Sequence, residues 1–148
     1  MSQKPMGDSN PVVIASDQTA FPVSGTATGM PTGATALISG SGNVAAGSAA
    51  ATLTGTATTT VYLAGFEVTG SGATAGLPVS VTVAGLLGGS RLYTYTFATG
   101  ALVANVPLVV QFDPPLPASA INTAISVTCP SSGVGGTNNT VVAHGYYV

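Results

Sequence analysis

The chain has 148 residues, of which only 4% are charged: two are Lys or Arg and four are Asp or Glu. Ordinary soluble proteins carry about 25% charged residues. The hydrophobic fraction of 45% and the mean hydropathy of +0.52 predict a folded core, because disordered chains combine low hydrophobicity with high net charge. So few cations argue against a nucleic-acid interface, since phosphate contacts are made chiefly by Lys and Arg.

No segment of the sequence predicts a membrane role. The most apolar stretch, residues 100–112, is interrupted by Asn105 and Pro107, and it is shorter than the roughly 18 residues that a spanning helix needs. Residues 1–8 lack the apolar run of a secretory signal. We therefore expect synthesis in the cytoplasm, and neither a membrane nor a nucleic acid as a partner.

The first predicted element in chain order is an extended N-terminal arm, residues 1–25. Residues 10–25 form a compact apolar segment whose prolines lack an N–H donor and are therefore restricted to edge or extended positions. Such an arm can add a strand to the sheet edge of another subunit, or it can pack on its own domain. Its candidate interface residues are Pro11, Val12, Val13, Ile14, Phe21, Pro22 and Val23.

Residues 25–60 are rich in Ala, Gly, Thr and Ser. Two structures compete for such a segment: a flexible linker, or strands of small residues that lie flat in an interface. We expect ordered structure over most of it.

From residue 53 onward, β-branched and aromatic residues alternate with a period of two between clusters of turn-forming residues, which predicts strands joined by turns. The predicted strands cover residues 35–39, 49–53, 61–69, 77–84, 92–97, 108–112, 121–129 and 140–147. About eight strands is the number expected for a two-sheet jelly roll. We therefore predict an all-β fold, with a jelly-roll-like sandwich of antiparallel strands over residues 26–148.

Alternation also predicts which side chains point into the core, because every second residue of a strand lies on the same face. The rows expected inside are Tyr62, Phe66 and Val68, then Val79, Val81 and Val83, then Tyr93, Tyr95 and Phe97. A further row consists of Ile121, Thr123, Ile125 and Val127. The opposite face of that strand holds Ala124, Ser126 and Thr128, which are small enough to meet either solvent or a neighbouring subunit.

Two stretches resemble proteins of tailed bacteriophages. Residues 4–18, Lys-Pro-Met-Gly-Asp-Ser-Asn-Pro-Val-Val-Ile-Ala-Ser-Asp-Gln, followed by Phe21, Pro22 and Val23, resemble a segment that recurs in their structural proteins. A second stretch is similar to the ends of virion proteins with jelly-roll domains: residues 112–119, Phe-Asp-Pro-Pro-Leu-Pro-Ala-Ser, then Asn122, Thr123 and Ala124, then the closing His-Gly-Tyr-Tyr-Val. The resemblance implies either a capsid cement or decoration protein, or the base of a head or tail fibre.

No group of residues predicts an active site. His144 is the only histidine, and no nucleophile or orienting acid stands beside it in the sequence. Cys129 is the only cysteine and has no clustered ligands near it, which favours a buried, inert thiol. The acids Asp8, Asp17, Glu67 and Asp113 are scattered. We expect no enzymatic activity, no catalytic residue, no cofactor and no metal.

Glu67 and Arg91 are the charges within or directly beside the predicted strands, apart from Asp113 at a strand end. Because an isolated buried charge is costly, pairing of the two across strands is one hypothesis. The other is that they are two exposed residues that never meet.

Low charge, the arm and the phage resemblance favour subunit contact as the function. The expected partners are the major capsid protein and further copies of this chain, as a homodimer or homotrimer on the capsid surface of a virion made in the bacterial cytoplasm. The alternative is a fibre-base or adhesin module that joins a fibre or recognises a host glycan. The tyrosines Tyr93, Tyr95, Tyr146 and Tyr147 would then form a sugar-stacking platform, whereas otherwise they pack in the core or between subunits.

Overall fold

The computed structural model describes residues 30–73, 77–100, 103, 105–131 and 138–148. These residues form strands and connecting loops, without a helix. The strands are β1 Thr35–Gly40, β2 Ala49–Leu53, β3 Val61–Ser71, β4 Pro78–Ala84, β5 Arg91–Thr96, β6 Leu108–Pro117, β7 Ile125–Cys129 and β8 Asn138–Tyr147. The all-β prediction is confirmed. The predicted arm at 1–25 and its seven candidate interface residues lie outside the described residues.

The strands form two four-stranded antiparallel sheets. The first sheet has the order β1-β8-β3-β6 and the second has the order β2-β7-β4-β5. The pairing is nested: β1 pairs with β8, β2 with β7, β3 with β6, and β4 with β5. The chain therefore runs like one long hairpin whose tip lies between β4 and β5, and this hairpin is wound into two layers that face each other across the core.

The core lies between the two sheets and is filled by the inward residues of each strand. In the first sheet these include Leu63, Phe66 and Val68 of β3, all fully buried. The ring of Phe66 meets Tyr93 of the second sheet edge to face, with centroids 5.3 Å apart. Aromatic pairs in this arrangement add about 0.5–1.5 kcal/mol to the free energy gained by burial. Phe66 therefore joins the two layers.

The predicted core rows of β4 and β5 are confirmed. Val81 and Val83 of β4 are fully buried, and so is Phe97 directly after β5. Tyr95 is also buried, whereas Val79 and Tyr93 are partly buried and pack against the core. Period-2 alternation was sufficient here because β4 and β5 pair without a register shift.

The prediction that Tyr62 shares the inner face with Phe66 is wrong. The pairing of β3 with β8 shifts between Leu63 and Gly65, so Ala64 is an extra residue in β3 opposite that strand. Against β6 the register also shifts at this point, but there residues 112–115 of β6 lie opposite Ala64. A one-residue bulge interrupts the alternation, so the residues before the bulge lie on the faces opposite to those that alternation from the residues after it predicts. Tyr62 consequently lies on the outer face of the first sheet, while Val61 and Leu63 point inward.

Two predicted strand boundaries also need correction. The seventh strand begins at Ile125 rather than at 121, because Ile121 and Asn122 form a turn in which Asn122 has a φ of 60° and Ile121 is exposed. The sixth strand does not end before Pro114 but continues to Pro117. It is an edge strand, where a residue without an N–H donor is tolerated.

Within the small-residue stretch 25–60, the described residues 30–60 contribute β1 and β2. Its two strands belong to different sheets and meet at a corner, where the N–H of Thr52 donates to the Ser39 hydroxyl over 3.1 Å. This contact satisfies a backbone donor on the edge of the second sheet, so the side chain of one layer covers the edge of the other.

Candidate functional site

The outer face of the second sheet contains no charged residue in the part of the chain that the structure describes. Along β4 the outward positions hold Ser80 and Thr82, which pair with Thr94 of β5 and Thr128 of β7 respectively. The largest outward side chain is Leu92, which is 68% exposed. The remaining outward residues are Ala50, Thr52, Pro78, Ala84, Thr96 and Ser126. This surface, which we name the hydroxyl face, is uncharged and built mainly from small side chains.

The outer face of the first sheet is different, because it carries a polar bridge. In the pairing register, Gly65 of β3 stands between Gln111 of β6 and His144 of β8. The side chains of Gln111 and His144 meet over it, with Oε1 and Nε2 3.1 Å apart. A Cβ added to Gly65 would lie 2.6 Å from that Gln111 oxygen. The glycine therefore leaves the space through which Gln111 reaches across the central strand.

Beside this bridge the face forms a trough of about 680 Å³. Gln111 and Asp113 of β6 line one side, and His144 and Tyr146 of β8 line the other. The floor includes Ala64, the bulge residue of β3, whose small side chain leaves the space between the two walls open. The lining also includes Met30, Pro31 and Ala36.

The Tyr146 wall is supported by a second aromatic ring. Tyr62 pairs with Tyr146 across the strands, and their rings stack with centroids 5.1 Å apart and an interplanar angle of 18°. Burial raises the pKa of Tyr146, and the neighbouring Tyr62 raises it further. The bulge thus has two consequences: it places Tyr62 outside, and it orders the ring that lines the trough.

A second cavity, of about 490 Å³, opens where the edges of the two sheets approach each other. The Tyr95 hydroxyl donates to the Val106 carbonyl over 3.0 Å, and the Ala98 N–H donates to Asn105 Oδ1 over 2.6 Å. Burial raises the pKa of Tyr95. These bonds connect the end of β5 to the residues just before β6. We therefore interpret this cavity as part of the edge of the sandwich.

The structure places Glu67 and Arg91 in different sheets. Glu67 is exposed on the outer face of β3, next to Val109 and Val142. Arg91 begins β5, and its guanidinium lies 5.9 Å from the centre of the Phe112 ring. No ion pair joins the two residues in the described part of the chain. Arg91 instead has an aromatic partner on the facing sheet, a contact worth about 0.5–1 kcal/mol at exposed sites.

Cys129 lies in the core, next to a buried polar residue. Cys129 is fully buried at the end of β7, and burial raises the pKa of its thiol. Asn139 is buried and donates from its side chain to the carbonyls of Cys129 and Pro130. Among the described residues there is no group of three or more His, Cys, Asp or Glu side chains that could hold a metal ion. The described residues also contain no helix suited to spanning a membrane.

Sequence reasoning did not find the trough. It singled out His144, Asp113 and Tyr146 separately, and it did not single out Gln111. Gln111 and His144 are 33 positions apart, and their contact depends on strand register and on a bulge that alternation does not reveal.

Comparisons of this chain with protein-family models, with curated proteins and with solved structures found no match.

Proposed function

We propose that this chain is a structural protein of a tailed-bacteriophage virion: a capsid decoration protein that binds the outside of the major-capsid lattice and stabilises it. The resemblance of residues 4–18 and of the C-terminal residues to phage virion proteins supports the phage assignment. The folded domain supports the structural role, because it offers surfaces suited to contact with other subunits.

The observation that carries the proposal is the uncharged hydroxyl face. Free soluble domains normally intersperse charges of both signs over their surface. Burying a charge without a partner costs several kcal/mol, so a face that spends its working life against a neighbour benefits from having none. Its small Ala, Ser and Thr side chains allow close approach, and Leu92 supplies one large apolar contact. We assign this face to the contact with the lattice.

The nested strand pairing supports the finer description of the sandwich as a jelly roll, since that fold is built from eight strands in two sheets. Its edge strands leave backbone groups that subunit association can cover. A homodimer or homotrimer is the proposed state, with the trimer preferred. Many identical weak contacts around a symmetric lattice then add up through multivalency.

Copy number tests this function. Quantitative gel analysis of purified virions is expected to give copies on the order of hundreds per particle, because a decoration protein follows the repeats of the capsid lattice. A count on the order of tens would contradict decoration and would favour the fibre-base or adhesin module.

A further inference from the structure

We propose that the trough on the first sheet binds a neutral saccharide of the hexose class. The proposal depends on the Gln111–His144 bridge, the Asp113 carboxylate and the stacked Tyr146 ring, which line one hollow. It goes beyond capsid decoration and does not depend on it. If the hydroxyl face lies against the lattice, the first sheet faces away from the particle, because the two sheets form opposite sides of the sandwich.

The polar groups of the trough match the hydroxyls of a sugar. Because the Gln111 Oε1 can only accept, the His144 Nε2 donates in their 3.1 Å contact. This arrangement leaves the Gln111 amide nitrogen as a donor and, in the neutral imidazole, the His144 Nδ1 as an acceptor. Asp113 adds a carboxylate acceptor on the same wall as Gln111. Each sugar hydroxyl can both donate and accept a hydrogen bond. Neighbouring hydroxyls can therefore bind donors and acceptors of the protein that lie close together.

The two polar side chains of the bridge already contact each other. Gln111 lies over Gly65 and contacts His144, which restricts the rotamers of this exposed side chain. Polar groups that are already ordered lower the entropic cost of binding. The bulge at Ala64 and the small residue at Gly65 therefore create both the space of the trough and the orientation of its polar groups.

The aromatic residues of the trough suit the apolar face of a hexose. A pyranose ring presents a face of C–H groups that packs on an aromatic ring, and Tyr146 lines the trough while Tyr62 stacks against it. Gln111 on β6 and His144 on β8 are separated by β3, so their backbones lie roughly 10 Å apart, two interstrand spacings. The volume of about 680 Å³ falls within the ordinary range for small-molecule sites.

Charge selects against other ligand classes. Asp113 is the only acidic side chain that lines the described trough, and no Lys or Arg lines it. A carboxylate without a facing Lys or Arg repels phosphorylated and acidic sugars. The lining therefore favours an uncharged ligand.

The test is a nuclear magnetic resonance titration of the full chain with the methyl glycosides of glucose, galactose, mannose and N-acetylglucosamine. At least one glycoside is expected to shift the backbone amides of Gly65, Gln111 and Gly145, and to leave that of Thr82 on the hydroxyl face unchanged. The substitutions Gln111→Ala and Tyr146→Ala are each expected to raise the dissociation constant about tenfold, the effect of losing one strong contact.

The matched control is Thr69→Ala, which alters an exposed residue of the same sheet outside the trough lining and is expected to leave binding unchanged. Melting curves establish that each variant is folded, and Gln111→Ala serves alone if Tyr146→Ala unfolds. The absence of shifts with all four glycosides would overturn the proposal. Binding at the trough of a synthetic peptide of residues 10–25, without binding of a glycoside, would also overturn it and would identify a peptide site.

Discussion

Gly65 is the residue on which the outer face of the first sheet depends. It lies in the central strand β3, with Gln111 on one side and His144 on the other. A side chain at this position would occupy the path that the Gln111 carboxamide takes to the imidazole. In the sequence, Gly65 is one of twenty glycines, and its immediate neighbours do not distinguish it from a glycine in a turn. Its role becomes visible only when the register of three strands is known.

We predict that Gly65→Ala destabilises the domain. The added Cβ would lie 2.6 Å from both the Gln111 Oε1 and the Val110 carbonyl oxygen, and relief of such overpacking costs about 1–3 kcal/mol. Urea unfolding measures the loss. Gly40→Ala is the matched control in the same sheet, because its Cβ would meet Val142 Cγ2 at an ordinary 3.7 Å. Equal midpoints for the two variants would contradict this explanation.

At the scale of strands, the bulge in β3 explains where alternation succeeded and where it failed. The β4 and β5 rows could be predicted because their pairing is continuous. The β3 row could not, because Ala64 reverses the faces on one side of it and nothing in the local composition marks the insertion. The trough was beyond prediction for the same reason, since the bulge residue forms part of its floor.

The bulge leads to a prediction about two aromatic residues of one strand. Phe66→Ala removes a fully buried ring that meets Tyr93, and we expect a loss of about 3–5 kcal/mol in unfolding free energy. Tyr62→Ala removes a ring on the outer face that stacks with Tyr146, and the expected loss is only about 0.5–1.5 kcal/mol. Chemical denaturation of both variants measures the difference. Similar losses would place Tyr62 in the core, against the bulge.

The predicted N-terminal arm, residues 1–25, leads to a prediction about attachment. Deletion of residues 1–25 is expected to leave a folded domain, because the strands of the described residues begin after residue 30. The same deletion is expected to weaken binding to capsids, since an extended arm adds contacts with a neighbouring subunit. Circular dichroism measures the fold, and cosedimentation with capsids measures attachment. Full occupancy of capsids by the truncated chain would count against the arm as an interface element.

For the whole molecule, period-2 alternation and the turn signals between the strands were enough to predict an all-β sandwich of about eight strands. They did not predict how its two outer faces differ. The second sheet exposes an uncharged face of mainly small residues, whereas the first exposes Glu67, the Gln111–His144 bridge and the tyrosine pair. This difference arises from which strands share a sheet, and that assignment depends on long-range pairing that local pattern does not encode.

The most direct test of the proposed lattice contact compares one change on the two outer faces. Thr94→Lys puts a charge on the hydroxyl face, and Thr69→Lys puts the same charge at an exposed threonine of the first sheet. Both variants are expected to fold, and cosedimentation with capsids that lack the protein measures their attachment. Our proposal predicts that Thr94→Lys loses attachment, because the new charge would be buried against the lattice, while Thr69→Lys keeps it. Equal attachment of both variants, or loss by Thr69→Lys alone, would contradict the assignment of the hydroxyl face.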